Sequence, residues 1–150
     1  GIPPLQAHFF GFYFAVFSTL TPPVAVSVLA AAKLGEATFL STAKDAMKIA
    51  LTTFIIQFAF VFSPELMLFP NVTWGTMLAV VEVVFVQLAV SVASYGFLIR
   101  SLNGFERGVY AFVALSGFLG FTYDANFWYV AVALFMTISG YVFVSNKTQE

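Results

Sequence analysis

Long apolar runs fill most of this chain, and short polar connections separate them. The runs cover residues 5–32, 47–62, 74–99, 109–122 and 127–144. A helix needs about 20 mostly apolar residues to cross a membrane, and these windows are too long and continuous for β-strands. The pattern predicts an all-α integral membrane protein with about five transmembrane helices. The fourth run is short, which indicates an inclined helix or one that extends into the preceding connection.

Basic residues predict the orientation of these helices. All of them fall in alternate connections or at the tail: Lys33, Lys44, Lys48, Arg100, Arg107 and Lys147. The opposite connections, residues 63–72 and 123–126, contain no Lys or Arg. Basic connections face the cytoplasm, so we expect a multi-pass protein with a cytoplasmic C-terminus. Trp74, Tyr123, Trp128 and Tyr129 would then lie at the outer interface, where amphipathic rings are enriched.

The connection from Lys33 to Lys48 has helical features of its own. Thr38 is a candidate N-cap, and one face of the helix that would follow carries Phe39, Leu40, Ala43 and Met47. We interpret this segment as an interfacial turn that leads into the next span. A role in gating or partner contact is the alternative.

Composition supports the membrane class and narrows the function. Hydrophobic residues make up 61% of the chain and charged residues only 9%, against about 25% in soluble domains. The formal net charge of −1 offers no basic patch for nucleic acid. The chain has no cysteine, one histidine and seven scattered carboxylates. This inventory leaves little material for an enzyme active site or a bound cofactor, so we expect neither.

The first apolar run is interrupted by the sequence 17-FSTLTPPVA-25. Neither Pro22 nor Pro23 has a backbone N–H, and each ring crowds the carbonyl four residues back. The carbonyls of Ser18 and Thr19 should therefore lose their helical partners, and Thr21 should leave the α conformation. We predict that the first helix is broken at Thr21-Pro22-Pro23.

Such a break within hydrocarbon favours a functional site. Irregular backbone persists in a membrane only where it is buried in protein or lines a cavity. The backbone carbonyls and hydroxyls of Ser18, Thr19, Leu20 and Thr21 are hard oxygen ligands of the kind that suit Na⁺. A proline kink, with the Ser and Thr hydroxyls satisfying the backbone, is the alternative reading.

The run AHFFGFYFAVFSTLTPPVAVSVLAAAKLGEA resembles the late part of the large membrane subunit of TRAP transporters, the DctM-like permeases. It is most similar to the fused permeases of the TAXI subgroup. The following KDAMKIALTTFIIQFAFVFSPELMLFP resembles the last core helix of that family. Residues 1–70 would then be the end of the transport core. Residues 71–150, including the LNGFERG loop, are less specifically similar to a C-terminal three-helix membrane extension.

This resemblance implies a Na⁺-coupled symporter of an elevator type in a bacterial or archaeal cytoplasmic membrane. Its expected partners are a periplasmic solute-binding protein, the lipid bilayer and a small organic acid as solute. By position, Ser18, Thr19, Leu20 and Thr21 would bind the coupling ion Na⁺. Two glycines of classical family members stand here as Ser18 and Ala25.

The sequence begins GIPPLQAHFF, without an initiator Met or a signal peptide. We therefore expect a fragment, with the remaining N-terminal part of the permease as a further partner. A non-transporting membrane anchor or assembly module is the alternative function.

A few polar residues within the apolar runs are further candidates. His8 precedes the break and is a candidate contact for the solute. Glu82 and Gln57 lie within predicted spans, where a polar side chain has either a packing or a functional role. Asp124 and Asn126 lie in a short outer turn, which needs such residues for its own backbone.

Overall fold

A computed structural model describes residues 1–67 and 71–147 of the chain. In these residues the protein is helical. The α-helices are α1 (Pro4–Phe17), α2 (Val26–Leu34), α3 (Phe39–Phe62), α4 (Trp74–Tyr95), α5 (Gly104–Thr122) and α6 (Asn126–Lys147). A short 3₁₀ helix, Pro64–Met67, follows α3.

Three of the described helices are long and apolar enough to cross a membrane by length and composition: α3, α4 and α6. The predicted all-α membrane class is therefore supported, but the five predicted spans reduce to three by this measure. Helices α1 and α2, with 14 and 9 residues, are each too short to span alone. Helix α5 has 19 residues but carries the charged residues Glu106 and Arg107 near its start, which lower its hydropathy.

The helix that the sequence predicts after Thr38 is present, and it continues directly into the next apolar span. Helix α3 runs without interruption through 24 residues, from Phe39 to Phe62. The predicted cap is confirmed, because the Thr38 hydroxyl accepts a hydrogen bond from the backbone N–H of Ser41. The polar segment and the apolar span after it are therefore one helix. Lys48 and Asp45 form an exposed ion pair on its first part.

Contacts divide the chain into two compact units, Gly1–Phe69 and Pro70–Glu150. The predicted domain boundary at residues 70 and 71 lies partly outside the described residues. So does the end of the FSPELMLFP segment that resembles the family.

In the first unit, α1 and α2 both pack against α3. Aromatic rings fill the contact between α1 and α3, with Phe14 stacked on Phe54 at 5.8 Å and Phe10 edge-on to Phe58 at 5.5 Å. Small residues fill the contact between α2 and α3, where Ala43 packs against Ala25 and Val28. Helix α3 is therefore the element that holds both sides of the break.

In the second unit, α5 lies between α4 and α6 and contacts both. Glycines permit the close approach. A Cβ added to Gly117 would lie 2.8 Å from a methyl carbon of Val86 in α4, and one added to Gly120 would lie 3.0 Å from the backbone nitrogen of Trp128. The Tyr110 hydroxyl and the Ser139 hydroxyl are 2.8 Å apart and join α5 to α6.

The corner between α4 and α5 is held by the polar residues of the LNGFERG loop. The Glu106 carboxylate accepts hydrogen bonds from the Arg100 guanidinium at 2.6 and 3.1 Å and from the Asn103 backbone N–H at 2.9 Å. The Asn103 side chain in turn accepts the Glu106 N–H, which completes a capping box. Arg107 donates to the Ala93 and Ser94 carbonyls at the end of α4.

Three basic residues of the second unit lie at one end of it. Helices α5 and α6 are antiparallel, since Gly120 meets Trp128 while Tyr110 meets Ser139. The C-terminal end of α6, with Lys147, therefore lies at the same end as Arg100 and Arg107. This arrangement agrees with the basic bias read from the sequence. That this end faces the cytoplasm stays a prediction.

Candidate cation site at the helix break

The first apolar run is broken at the predicted place. Helix α1 ends at Phe17 and α2 begins at Val26, and the Thr21-Pro22-Pro23 sequence lies between them. The Pro22–Pro23 peptide bond is cis. Ala25 has a φ of 39°, in the left-handed region, and serves as the N-cap of α2. Two helix ends therefore meet within a short irregular segment.

The Ser18 and Thr19 carbonyls lose the helical partners four residues on, as predicted, but other backbone donors replace those partners. The Ser18 carbonyl accepts from the Ala25 N–H at 3.2 Å, and the Thr19 carbonyl accepts from the Ser27 N–H at 3.1 Å. These donors belong to the start of α2, whose first N–H groups have no partner within their own helix. The chain folds back far enough for the unpaired groups of the two helix ends to satisfy one another.

The hydroxyls at the break all point their protons at carbonyls of the preceding turn. Ser18 donates to Ala15 at 2.6 Å, Thr19 to Val16 at 3.0 Å and Thr21 to Phe17 at 3.2 Å. A hydroxyl that donates its proton keeps two lone pairs for a further partner. Each of the three oxygens is therefore an acceptor, as a cation ligand must be.

The Leu20 carbonyl adds a fourth oxygen of the same kind. It accepts no hydrogen bond from the described residues, unlike the carbonyls of Ser18 and Thr19. Ser18, Leu20 and Thr21 are half-buried, whereas Thr19 is exposed. The break thus offers neutral, hard oxygens that are partly shielded from solvent, which is the ligand type of Na⁺ rather than of a transition metal.

The described residues contain no group of three or more His, Asp or Glu side chains that would hold a metal ion.

The structure does not bring His8 to the break. His8 lies on the exposed surface of α1, nine positions before Phe17 at the end of that helix. At a rise of 1.5 Å per residue this separation is about 14 Å. The role of His8 as a contact for the solute stays a prediction.

Two polar residues inside the apolar helices differ in their burial and in their polar partners. Glu82 in α4 is half-buried and takes part in an interaction. Gln57 in α3 is fully buried, and neither its amide oxygen nor its amide nitrogen has a hydrogen-bond partner among the described residues. The sequence shows that Gln57 is polar and within a span, but not that its amide is left without a partner.

Comparison of the chain with protein-family models, with curated proteins and with solved structures finds no match. The resemblance to the TRAP transporter permeases therefore stays a prediction made from the sequence motifs.

Proposed function

We propose that this chain is part of a secondary active transporter in which the break between α1 and α2 binds Na⁺ as the coupling ion. The transporter is a TRAP-type permease that takes up a small organic acid delivered by a periplasmic binding protein. Ser18, Thr19, Leu20 and Thr21 supply the oxygen ligands, and the Pro22-Pro23 pair keeps the helix open there. The basic end of the second unit faces the cytoplasm in this proposal.

One observation supports this proposal above the others. The three hydroxyl groups of the break, on Ser18, Thr19 and Thr21, donate their protons to carbonyls of α1, so their oxygens are left as acceptors. Two broken helix ends with oxygen ligands between them are a recurrent form of ion site in membrane transporters. The break lies in a protein with three helices long and apolar enough to cross a membrane. An ion bound in such a protein can move along the transmembrane ion gradient and potential, and this movement can drive uptake.

Selective stabilisation by Na⁺ tests the proposal without knowledge of the solute. We expect the intact protein in detergent to melt at a higher temperature in NaCl than in KCl or choline chloride. An ion that binds only the folded protein stabilises it by about 2.7 kcal/mol at a hundredfold excess over its Kd. Thr21→Val removes one ligand oxygen and should weaken this rise.

Thr53→Val is the matched control. The Thr53 hydroxyl donates to the Ile49 carbonyl at 3.3 Å, the same i to i−4 bond that Thr21 makes with Phe17 at 3.2 Å. The two variants therefore lose the same local hydrogen bond, but only one loses an oxygen at the break. If both variants keep the full Na⁺-dependent rise, the break does not bind the ion.

A membrane anchor or assembly module is the rival function, and one observation favours it for the second unit. Arg100, Glu106 and Arg107 are all engaged in holding the corner between α4 and α5. Their role there is structural. Equal melting temperatures in NaCl and KCl for the unmodified protein would favour this reading for the first unit as well.

A further inference from the structure

The corner between α2 and α3 exposes two leucines next to two lysines. Leu34, the last residue of α2, is 88% exposed, and Leu40, in the first turn of α3, is 79% exposed. Lys33 precedes Leu34, and Lys44 lies one helical turn after Leu40; both lysines are exposed. Neither lysine forms an ion pair with any of the described residues. The corner therefore presents apolar and cationic side chains side by side.

The exposed side chains of α3 form one strip along the helix. Leu40, Lys44 and Lys48 are four positions apart, so they lie above one another on the helix surface. Ala43, on a different face, packs against Ala25 and the α2 residue Val28. The strip is therefore separate from the side of α3 that holds α2.

The length of α3 places this strip at the edge of the membrane hydrocarbon. The helix ends at Phe62, and the charged residue Glu65 follows in the 3₁₀ helix. A helix crosses the hydrocarbon in about 20 residues, and this length, counted back from Phe62, reaches Ala43. Leu40 then lies where headgroups and acyl chains meet, and Lys44 lies just inside.

The direction of the lysine side chains suits this position. Helical side chains lean toward the N-terminus of their helix, which for α3 is the corner. The apolar stems of Lys44 and Lys48 can therefore remain in the hydrocarbon while their ammonium groups reach the phosphate level. The Lys48 ammonium lies 3.3 Å from the Asp45 carboxylate, on this same first part of the helix.

Lys33 reaches the same level from the other helix. Val28 packs against Ala43, and α2 ends at the corner where α3 begins. Lys33 is five positions after Val28, so it lies about 7 Å nearer the corner than that contact. Both unpaired lysines of the corner are therefore available to one layer of headgroups.

We propose that the α2–α3 corner binds the headgroups of anionic phospholipids. Lys33 and Lys44 donate to the lipid phosphates, and Leu34 and Leu40 insert where headgroups and acyl chains meet. Each lysine near an anionic membrane surface strengthens binding by a factor of about five. A lipid surface matches both halves of the pattern, since it offers phosphate to the lysines and hydrocarbon to the leucines. This inference does not depend on the proposed function.

Fluorescence quenching tests the position of the leucines. The intact protein is prepared with any cysteine outside this chain replaced by serine; the chain itself has none, so Leu34→Cys and Leu40→Cys each create one labelling site. An NBD label is attached, and the protein is placed in vesicles of phosphatidylcholine and phosphatidylglycerol in equal parts. Lipids with a doxyl group near the headgroup should quench both labels, and aqueous iodide should quench them little.

Leu51→Cys is the matched control for depth. Leu51 is also exposed, lies on the same side of α3 as Leu40 and follows it by eleven positions. This separation places a label about 16 Å further into the membrane. Lipids with a doxyl group near the end of the acyl chain should therefore quench the Leu51→Cys label most.

A lipid titration tests the charges. Melting temperatures of the intact protein are measured while phosphatidylglycerol is added to micelles that contain phosphatidylcholine. The double variant Lys33→Gln/Lys44→Gln should need about 25-fold more phosphatidylglycerol for a half-maximal rise. Lys33→Arg/Lys44→Arg keeps both charges and should need as much as the unmodified protein. Asp45→Asn releases Lys48 from its ion pair and should need less.

The outcomes decide the proposal. Shallow quenching at both leucine positions, with opposite shifts in the glutamine and asparagine variants, would support it, because a general loss of structure does not produce shifts of opposite sign. Strong quenching by iodide would place the corner in water and overturn it. Quenching by neither iodide nor lipid would show that protein covers the corner, which also overturns it. So would an unchanged need for phosphatidylglycerol in the charge variants.

Discussion

Gly117 is the position where one added methyl group should disturb helix packing most directly. It lies in α5 against α4, and a Cβ built there would be 2.8 Å from the Val86 methyl carbon Cγ2, closer than real Cβ atoms approach. Two further groups, the Ala131 Cβ at 3.7 Å and the Trp128 ring at 3.8 Å, limit movement toward α6. Gly117→Ala should therefore push α4 and α5 apart.

Two terms of opposite sign set the size of this effect. Overpacking a close contact costs about 1–3 kcal/mol. Replacing a glycine within a helix by alanine gains about 0.5–1 kcal/mol. Gly140 in α6 isolates the second term, because a Cβ there would meet no atom within 4 Å. We expect Gly140→Ala to stabilise the protein by about 0.5–1 kcal/mol, and Gly117→Ala to destabilise it by about 1–2 kcal/mol.

The assay is reversible unfolding of the intact protein by SDS titration in detergent micelles, followed by far-ultraviolet circular dichroism. Val86→Ala completes a double-mutant cycle, since it removes the methyl carbon that the new Cβ would strike. Gly117→Ala should therefore cost much less stability when Val86 is already alanine than it does in the unmodified protein. If Gly117→Ala is as stabilising as Gly140→Ala, the close contact between α4 and α5 is not present.

Two further predictions concern the polar contacts of the second unit. The hydrogen bond from the Arg100 guanidinium is the main cause that holds the pKa of the Glu106 carboxyl below its ordinary value of 4.5, and the backbone N–H of Asn103 adds to it. The ionised Glu106 carboxylate therefore contributes its full stabilisation above pH 4.5, and this stabilisation is lost as the pH falls below 4.5. Thermal melts from pH 7 to pH 3 should show a falling melting temperature in the acid range. Glu106→Gln should make the melting temperature less dependent on pH in that range. Tyr110→Phe leaves the Ser139 hydroxyl without its partner, so it should cost about 1 kcal/mol in the SDS titration. Ser139→Ala should add little to it, because the two changes remove the same bond, and additive losses would contradict the pairing.

Local chemistry explains which parts of the fold the sequence predicts well. The break at Thr21-Pro22-Pro23 follows from the missing N–H groups and the fixed φ of proline, and these act wherever the segment lies. The N-cap at Thr38 follows from a side chain that bonds to the backbone within one turn. Each of these features depends on residues three or four positions apart.

Features that depend on distant residues could not be read in the same way. The Ser18 and Thr19 carbonyls find donors at Ala25 and Ser27 because the chain folds back across the break. A hydropathy pattern also placed the start of a span at Met47, whereas α3 begins at Phe39, because Lys44 and Asp45 are compatible with a helix even where they are not compatible with hydrocarbon.

The candidate site likewise combines features that the sequence predicts with features that depend on packing between distant residues. The hydroxyls of Ser18, Thr19 and Thr21 are visible as oxygen ligands in the sequence, and the structure adds the direction of their protons. Gln57 is visible only as a polar residue within an apolar run. Its burial and its lack of partners among the described residues depend on how α1 packs against α3, which no local pattern encodes.

Direct binding of radioactive sodium to the purified intact protein tests the central claim most plainly. Equilibrium dialysis with excess KCl would compare the unmodified protein with Thr21→Val and Thr53→Val. The account predicts saturable Na⁺ binding that K⁺ does not displace, that weakens in Thr21→Val, and that is unchanged in Thr53→Val. Absence of saturable binding, or equal binding in all three proteins, would contradict a Na⁺ site at the break.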